Sequence, residues 1–400
     1  MSIKKEKIPI VRFRDFSEPW IKNQLSEVAE FSKGRGYSKK NLQSHGTPII
    51  LYGRLYTNYE SVISNVETYA NLEENSVVSE GGEVIIPASG ESADDISRAS
   101  CVIDRGIILG GDLNIVRPHE YLNSLFIAMT LSNGSQQREL SKRAQGKSVV
   151  HLHNSDLKAI KLFYPSFEEQ SAIGSLFRTL DDLLASYKEN LANYQSLKAT
   201  MLSKTFPKAG QTVPEIRLDG FESGWEEKEF SKLVKRVTQS SDSDSLPKVE
   251  FEDIISGQGR LNKDISSKFD NRKGIHFKPG YTLYGKLRPY LNNWLLPKFE
   301  GVALGDFWVF DPNGNDSNFI YYLVQSSRYQ KVANDTSGTK MPRSDWKSVS
   351  STVFAIPQTI AEQQAIGAYF SNLDNLIATH QEKISQLETL KKKLLQDMFI

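Results

Sequence analysis

Two stretches of the chain place mostly hydrophobic residues alternately three and four positions apart, on an otherwise charged or amide-rich background. The first set comprises Phe177, Leu180, Leu184, Tyr187, Leu191, Tyr194, Lys198 and Met201. The second set comprises Phe370, Leu373, Ile377, His380, Ile384, Leu387, Lys391 and Leu394. This spacing is typical of a helix with a heptad seam. The pattern therefore predicts two long helices, each with a stripe that must be buried against a partner.

The two helical stretches are copies of one another. Residues 169–206 align with residues 362–399 at a constant offset, with identities that include Glu169/Glu362, Gln170/Gln363, Gly174/Gly367, Asp181/Asp374 and Phe206/Phe399. At about 1.5 Å per residue each helix could reach ~55 Å. Because two similar seams in one chain can bury each other, the duplication favours an antiparallel coiled coil over two separate core helices. The residues expected to pair are Leu180, Leu184, Leu191, Leu373, Ile377, Ile384, Leu387 and Leu394.

The duplicated unit is larger than the helix. A lead-in segment at 9–20 shares one register with 214–225, with the matches Pro9/Pro214, Arg12/Arg217, Phe16/Phe221 and Trp20/Trp225. The globular sequences between lead-in and helix hardly match. We therefore divide the chain into a globular region at 1–165, a helix at 166–207, a second globular region at 208–356 and a second helix at 357–400. The lead-in and the helix are repeated, whereas the two globular regions differ, which suggests that each globular region recognises a different target.

Both globular regions are predicted to mix short strands with a few helices. Turn residues separate β-rich runs at 47–59, 83–90, 100–116, 147–154, 280–296 and 301–311. Helices are predicted at 119–133 and 317–333, and the polar insert at 238–248 is predicted to be a mobile loop. Strands and helices do not alternate regularly, so the predicted class is α+β, a mixed fold without a dinucleotide-binding pattern.

Composition narrows the class of protein. The chain has 400 residues, 39% hydrophobic and 24% charged, with a formal net charge of +1. The sequence has no apolar run long enough for a membrane span and no secretory signal at its start. Cys101 is the single cysteine, which excludes an intramolecular disulfide and a cysteine-based zinc site. These features predict a cytoplasmic protein.

No catalytic or metal-binding motif is complete. Asp311-Pro312-Asn313-Gly314 lacks the second proline and the aromatic residue of a DNA methyltransferase tetrapeptide, and Gly146-Lys147-Ser148 lacks the first glycine of a phosphate-binding loop. His151 and His153 share one side of a strand, but the sequence suggests no third ligand. We therefore predict no catalytic residues, no metal and no cofactor in this chain.

Clusters of basic residues remain as candidates for binding DNA. The segment Tyr284–Tyr290 interleaves aromatic residues with two cations, Thr339–Arg343 is a second basic loop, and residues 138–147 occupy the equivalent place in the first region. Arginine and lysine of this kind bind phosphates, and arginine also reads guanine. The candidates are Arg35, Lys39, Lys40, Arg54, Arg143, Lys147, Arg272, Lys286, Arg288, Lys340 and Arg343. For any single cluster, an ordinary solvated surface remains an alternative.

Over essentially its whole length the chain resembles the specificity subunit of type I restriction-modification enzymes. The resemblance rests on Glu-Gln-x-Ala-Ile leading from Pro165 and Pro357 into each heptad helix, and on lead-ins that end at Trp20 and Trp225. The stretches ILYGRLYTNY, IIPASGESADDISRA, ILGGDLNIV and TLYGKLRPYLNN also look like target-recognition domains of this family. The first copy departs from the family in having Phe-Glu before Glu-Gln, where leucine or alanine is commoner.

The resemblance implies two target-recognition domains joined by two long antiparallel coiled-coil helices with pseudo-two-fold symmetry. Each domain would read one half of an asymmetric, bipartite double-stranded DNA site, and the helices would set the spacer. The subunit itself would be non-catalytic. Two modification subunits would supply S-adenosylmethionine and methylate adenine, and restriction subunits would cleave DNA with ATP and Mg²⁺. Two alternatives stay open: a stand-alone methylase-nuclease, and a coiled-coil adaptor with no DNA role.

Overall fold

The structure is a computed structural model that describes residues 8–146, 149–266, 271–335 and 340–399. The described residues form two compact units. Unit 1 contains the chain up to Ser186 together with the residues from Ile384 onward, and unit 2 spans Tyr187–Lys383. The two long helices therefore contribute to both units. Over the described residues, no helix has the length and hydropathy needed to cross a lipid bilayer.

Unit 1 is built from short strands around a few helices. Its strands are β1 (Ile21–Gln24), β2 (Ala29–Lys33), β3 (Thr47–Ile50), β4 (Val62–Ile63), β5 (Tyr69–Ala70), β6 (Glu83–Pro87), β7 (Ser89–Gly90), β8 (Ser100–Val102), β9 (Ile108–Leu109), β10 (Leu113–Pro118), β11 (Val150–His151) and β12 (Lys161–Tyr164). Its helices are α1 (Leu25–Val28), α2 (Arg54–Thr57), α3 (Ala93–Ile96), α4 (Ser124–Leu131), α5 (Gly134–Arg143), α6 (Asn154–Lys158) and the first part of α7 (Phe167–Thr205). A short 3-10 helix lies at Lys39–Asn41.

The central sheet of unit 1 has the strand order β2-β10-β6-β8-β4 and is buried on both faces. Val84 and Ile86 of β6 join a core that includes Phe126 of α4, whereas Ile85 points to a second core with Leu113. Successive side chains of a strand point to opposite faces. Burial on both faces therefore explains why β6 is a nearly continuous apolar run.

Unit 2 follows the same plan with different sheets. Its strands are β13 (Trp225–Glu229), β14 (Lys235–Val237), β15 (Ser240–Ser241), β16 (Lys248–Val249), β17 (Ile254–Ile255), β18 (Arg260–Leu261), β19 (Gly274–Phe277), β20 (Thr282–Gly285), β21 (Trp294–Leu295), β22 (Gly301–Ala303), β23 (Phe307–Asp311) and β24 (Val353–Pro357). Its helices are α8 (Phe230–Leu233), α9 (Ser317–Leu323), α10 (Ser327–Ala333), α11 (Trp346–Ser350) and the first part of α12 (Ile360–Asp397). The larger sheets have the orders β14-β23-β20-β21 and β15-β19-β22-β16.

In each unit the lead-in is tied to the strand that precedes a long helix. β1 pairs antiparallel with β12, and β13 pairs antiparallel with β24. Arg12 then forms a two-pronged ion pair with Glu169, with both nitrogen–oxygen distances at 2.7 Å, and Arg217 does the same with Glu362 at 2.7 Å. The hydrogen bonds to these glutamates raise the pKa of both guanidinium groups above the ordinary arginine value. The same bond network thus fixes the start of both long helices.

The glutamine that follows each glutamate connects the long helix to the globular region through side-chain hydrogen bonds. The side-chain oxygen of Gln170 accepts the backbone N–H of Asn123 at 2.8 Å, and its amide donates to the carbonyl of Pro165 at 2.9 Å. Gln363 accepts from the backbone N–H of Asp316 at 3.0 Å and donates to Pro357 at 3.2 Å. Both glutamines are buried. Each therefore joins a long helix to the capping residue of a domain helix, α4 or α9.

Within each unit, α7 and α12 run antiparallel. In unit 1 the ring centroids of Phe177 and Phe399 lie 5.8 Å apart, and Lys391 forms an ion pair with Asp181. The duplicated residues make the same contacts in unit 2. There the centroids of Phe206 and Phe370 lie 6.0 Å apart, and Lys198 and Asp374 are 2.6 Å apart. The α+β class and the antiparallel coiled coil are confirmed.

The burial along the two helices follows the heptad period. Leu180, Leu184 and Leu373 are buried, and the half-buried positions are Leu191, Ile377, Ile384, Leu387 and Leu394. His380 lies between Tyr187 and Tyr194, with ring centroids 5.3 and 5.1 Å away. Burial is deepest towards the ends of the seam, where the globular regions add apolar partners.

The domain helices differ from the prediction at their boundaries. The predicted helix at 119–133 begins only at Ser124, because Asn123 caps it by accepting the N–H of Phe126 at 3.0 Å. The predicted helix at 317–333 is two helices, since Ser326 caps α10 and stops the first. The predicted strand at 47–59 ends at Ile50 and is followed by α2. Each error reflects a cap or turn inside an apolar stretch.

The helical glycines Gly174 and Gly367 give a matched test of how closely α4 and α9 approach the long helices. A Cβ at Gly367 would lie 2.7 Å from the Cβ of Asn318 and 2.7 Å from Oδ1 of Asp316. A Cβ at Gly174 would have its nearest neighbour at 3.4 Å. We expect Gly367→Ala to lower the free energy of unfolding by about 1–3 kcal/mol through overpacking.

Gly174→Ala is the control. A Cβ at this position clashes with nothing, so the variant should keep the gain in helix propensity of up to about 1 kcal/mol. Urea unfolding followed by tryptophan fluorescence measures both variants. An equal midpoint for the two variants would contradict the close approach at Gly367.

Candidate nucleic-acid interface

Two loops of unit 2 that are distant in sequence are joined by backbone hydrogen bonds. The N–H of Arg288 donates to the carbonyl of Pro342 at 2.7 Å, and the N–H of Ser344 donates to the carbonyl of Lys286 at 2.9 Å. Leu287 and Arg343 form an isolated β-bridge. These bonds bring together the predicted residues Lys286, Arg288 and Arg343, and the predicted Lys340 lies two positions before Pro342 in the chain. We call these four residues the unit-2 basic surface.

The carboxylate of Asp306 contacts two of these four cations. Asp306 accepts from Arg343 at 3.0 Å and lies 3.5 Å from the ammonium nitrogen of Lys286. Partial burial acts to raise the pKa of Asp306, but the hydrogen bond and charge of Arg343, with the charge of Lys286, hold this pKa below its ordinary value. Arg288 and Lys340 are exposed and have no ion-pair partner among the described residues. These two side chains are available to an anionic ligand.

The turn that carries Arg288 has an unusual backbone. Arg288 and Asn292 both have positive φ, at 48° and 54°, and they flank the 3-10 helix Pro289–Leu291. Three apolar side chains around it face solvent, with exposed fractions of 58% for Tyr290, 36% for Leu291 and 49% for Met341. The opposite end of the segment is buried, since Tyr284 belongs to the core and burial raises its pKa to about 12. Only the tip of this segment is therefore open to solvent.

Unit 1 presents a second basic loop, with Arg35, Lys39 and Lys40 all exposed. The loop is held on the Gly110-Gly111 turn, where the N–H of Gly111 donates to the carbonyl of Gly36 at 2.6 Å and the N–H of Arg35 donates to Leu109 at 3.2 Å. A Cβ at Gly34 would lie 1.8 Å from the carbonyl oxygen of Gly110, so this approach requires glycine. Tyr37 anchors the loop through its hydroxyl, which donates to Asn71 at 2.9 Å. We call Arg35, Lys39 and Lys40 the unit-1 basic surface.

Three other predicted cations are each paired with a neighbouring acid. Arg54 pairs with Glu60 at 2.7 Å, Arg143 with Glu139 at 3.0 Å, and Arg272 with Glu250 at 2.7 Å. An anionic ligand would have to compete with these local acids. Lys147 lies outside the described residues.

Sequence reasoning did not find Asp306. It lies 37 positions from Arg343 in the chain, in the turn between β22 and β23, within a stretch that the sequence predicts as one β-rich run at 301–311. The single signal for it was an acid beside a glycine in that turn, which is too common to predict an ion pair with two distant cations. Within the described parts of the chain, no group of three or more His, Cys, Asp and Glu side chains could hold a metal ion.

Comparisons with known proteins agree with this architecture. The family model "Type I restriction modification DNA specificity domain" matches residues 17–195 and 226–389. The type I restriction enzyme MjaVIII specificity subunit of Methanocaldococcus jannaschii is 20% identical over 96% of this chain and 90% of its own length. The MjaIX specificity subunit of the same organism is 23% identical over 69% of this chain and 67% of its own length.

Solved structures show the same fold. The S subunit of a type I restriction-modification system from M. genitalium superposes with a TM-score of 0.62 and 14% identity, covering 98% of this chain and 99% of that one. A chain from a structure concerned with complex assembly and conformational transition of the type I R-M system gives a TM-score of 0.50 and 14% identity, covering 94% and 96%. Because the family model matches both halves of the chain, this protein belongs to the type I restriction-modification DNA specificity family, whose members recognise DNA sequences.

Proposed function

We propose that each globular region reads one half of an asymmetric, bipartite site in double-stranded DNA, and that the pair of long helices sets the spacer. The observation that carries this proposal is that the lead-ins and long helices are duplicated, whereas the basic loops of the two units differ. The ion pairs Arg12–Glu169 and Arg217–Glu362 recur in the two units, whereas the unit-1 and unit-2 basic surfaces differ in sequence and in backbone geometry. A protein reading two identical half-sites would present two matching surfaces.

The exposed cations suit a phosphate backbone. Lysine and arginine side chains release counterions from DNA when they neutralise phosphates, and this supplies much of the affinity. Contacts to phosphates position a protein, and contacts to base edges give its specificity. Both basic surfaces are held by backbone hydrogen bonds, so the backbone that carries their cations is ordered before DNA arrives.

In this proposal the chain is a non-catalytic subunit. Two modification subunits bring S-adenosylmethionine and methylate adenine, and restriction subunits bring ATP and Mg²⁺ for cleavage. The absence of a complete methyltransferase tetrapeptide in the sequence supports this division of labour.

Exposed leucines on the long helices support docking of two copies of one partner. Leu183 and Leu197 on α7 occupy the same heptad position as Leu376 and Leu390 on α12, each just before a seam residue, and all four are 40–45% exposed. Unit 1 contains Leu183 and Leu390, and unit 2 contains Leu197 and Leu376. Each unit therefore exposes one leucine from each helix, and apolar surface of this kind is typical of the centre of a protein–protein interface.

Reconstitution tests the proposed function. The purified chain, mixed with its cognate modification subunit, S-adenosylmethionine and genomic DNA, is expected to give adenine methylation at one split motif, mapped by methylation sequencing. The same motif methylated by the modification subunit alone would overturn the proposal.

Changing the exposed leucines should alter the stoichiometry of the complex. We expect Leu183→Asp with Leu390→Asp to reduce the bound modification subunits from two to one, because a carboxylate cannot be desolvated cheaply in an apolar interface. Leu197→Asp with Leu376→Asp should do the same, and all four together should abolish binding. Native mass spectrometry counts the subunits.

The control is Leu72→Asp, which changes a leucine that is 58% exposed on the globular part of unit 1. This variant should retain two modification subunits. Two subunits bound to all of the helix variants would place the docking surface elsewhere.

Lengthening the helices should change the spacer alone. One heptad inserted within 185–195 of α7, with a matching heptad within 378–388 of α12, adds about 10 Å at 1.5 Å per residue, or about three base pairs at 3.4 Å each. The seam continues in register because the insertion is a whole heptad. Methylation sequencing should show both half-motifs retained with a longer spacer, and altered half-motifs at the original spacing would contradict the division of labour.

A further inference from the structure

We propose that Arg288 is the base-reading side chain of the second recognition region, where its guanidinium donates two hydrogen bonds to N7 and O6 of a guanine in the major groove. This assignment rests on the proposed function and goes further, because it separates one reader from its three basic neighbours. A planar guanidinium fork fits the guanine edge, whereas lysine acts as a point charge.

The charges of the unit-2 basic surface favour Arg288 over its neighbours. Arg343 and Lys286 share the carboxylate of Asp306, at 3.0 and 3.5 Å. That carboxylate fixes both side chains and reduces their net charge, which suits a role in positioning. Arg288 has no ion-pair partner among the described residues, so it can exchange water for a base without breaking an ion pair.

The backbone at Arg288 shows that the fold does not require arginine there. Its φ of 48° is in the left-handed region, which costs a residue with a Cβ free energy and costs glycine little. Its position directly before Pro289 restricts the backbone further. A long cationic side chain is thus kept at a site where glycine would fold more easily. Backbone strain of this kind clusters at ligand-binding positions.

The turn is anchored on three sides, which fixes the backbone that carries the guanidinium. The carbonyl of Arg288 accepts the N–H of Leu291 at 2.8 Å, in addition to the bond from its own N–H to Pro342. The carbonyl of Asn292 accepts the N–H of Gly257 at 3.0 Å, and the hydroxyl of Ser256 donates to Leu291. A reading group needs such support, because displacement of about 1 Å spoils a two-bond contact.

The surroundings of Arg288 are suited to excluding water from a base contact. Tyr290, Leu291 and Met341 expose apolar surface next to a cation. Apolar groups of this kind contact sugars and thymine methyl groups in a groove. Once they displace water, the local dielectric constant falls and the hydrogen bonds of the guanidinium become stronger.

The experiment uses the full chain with its cognate modification subunit and maps the methylated motif. We expect Arg288→Gly to lose discrimination at one G·C pair of one half-motif, by about 5- to 150-fold, with the other half-motif unchanged. Its melting temperature should not fall, because glycine relieves the left-handed backbone. Arg288→Lys keeps the backbone and the charge and should lose discrimination at the same pair, which keeps the test valid if the glycine variant fails to fold.

Two matched controls separate reading from backbone and charge effects. Asn292→Gly relieves the other left-handed residue of the same turn and should leave the motif intact. Arg343→Ala should weaken DNA binding at all sequences and reduce the salt slope by about one. An unchanged motif in both Arg288 variants would overturn the assignment. A wild-type complex that methylates no split motif would instead overturn the proposed function, and the assignment with it.

Discussion

The structure depends on an ion pair with a buried carboxylate at the start of each long helix. Glu169 and Glu362 are 1% and 0% exposed, and each carboxylate is held by an arginine of its lead-in. Removing one partner from a buried pair leaves an uncompensated charge, at a cost of about 3–5 kcal/mol. The ion pair therefore makes the contact between lead-in and long helix costly to break. The neighbouring glutamine extends this constraint to the cap of α4 or α9.

The two copies make the same contacts between α7 and α12, but the surfaces of their globular regions differ. Lys198 with Asp374 and Lys391 with Asp181 are the same pair in the two copies, and so are Phe206 with Phe370 and Phe399 with Phe177. In both regions a sheet of antiparallel strands carries equivalent strands in the orders β2-β10-β6-β8 and β14-β23-β20-β21, whereas the smaller sheets β5-β3-β9 and β15-β19-β22-β16 differ. Because the lead-ins and long helices are repeated and the globular regions are not, the two recognition surfaces can differ while their attachment to the helices stays the same.

The two basic surfaces share one physical strategy. In each unit, backbone hydrogen bonds hold a turn that carries exposed basic residues of the surface. Residues with positive φ lie in these turns, namely Tyr37 in unit 1 and Arg288 and Asn292 in unit 2. Turns of this kind lose little conformational freedom when they bind, so the cost of ordering the loop is met during folding. In unit 2, Asp306 adds a second level of order by dividing the cations into paired and unpaired side chains.

The heptad spacing, the duplicated Glu-Gln pair and the alternation of short strands are local patterns, and the sequence by itself determined the two long helices, their seam and the α+β class. It did not determine where α4 begins or where α9 ends, because single capping residues, Asn123 and Ser326, interrupt apolar stretches. Only the tertiary structure decided that Arg12 meets Glu169 across 157 positions and that Asp306 engages Arg343 but not Arg288. These contacts join residues far apart in the chain, and neither hydrophobic periodicity nor local conformational propensity can predict such long-range contacts.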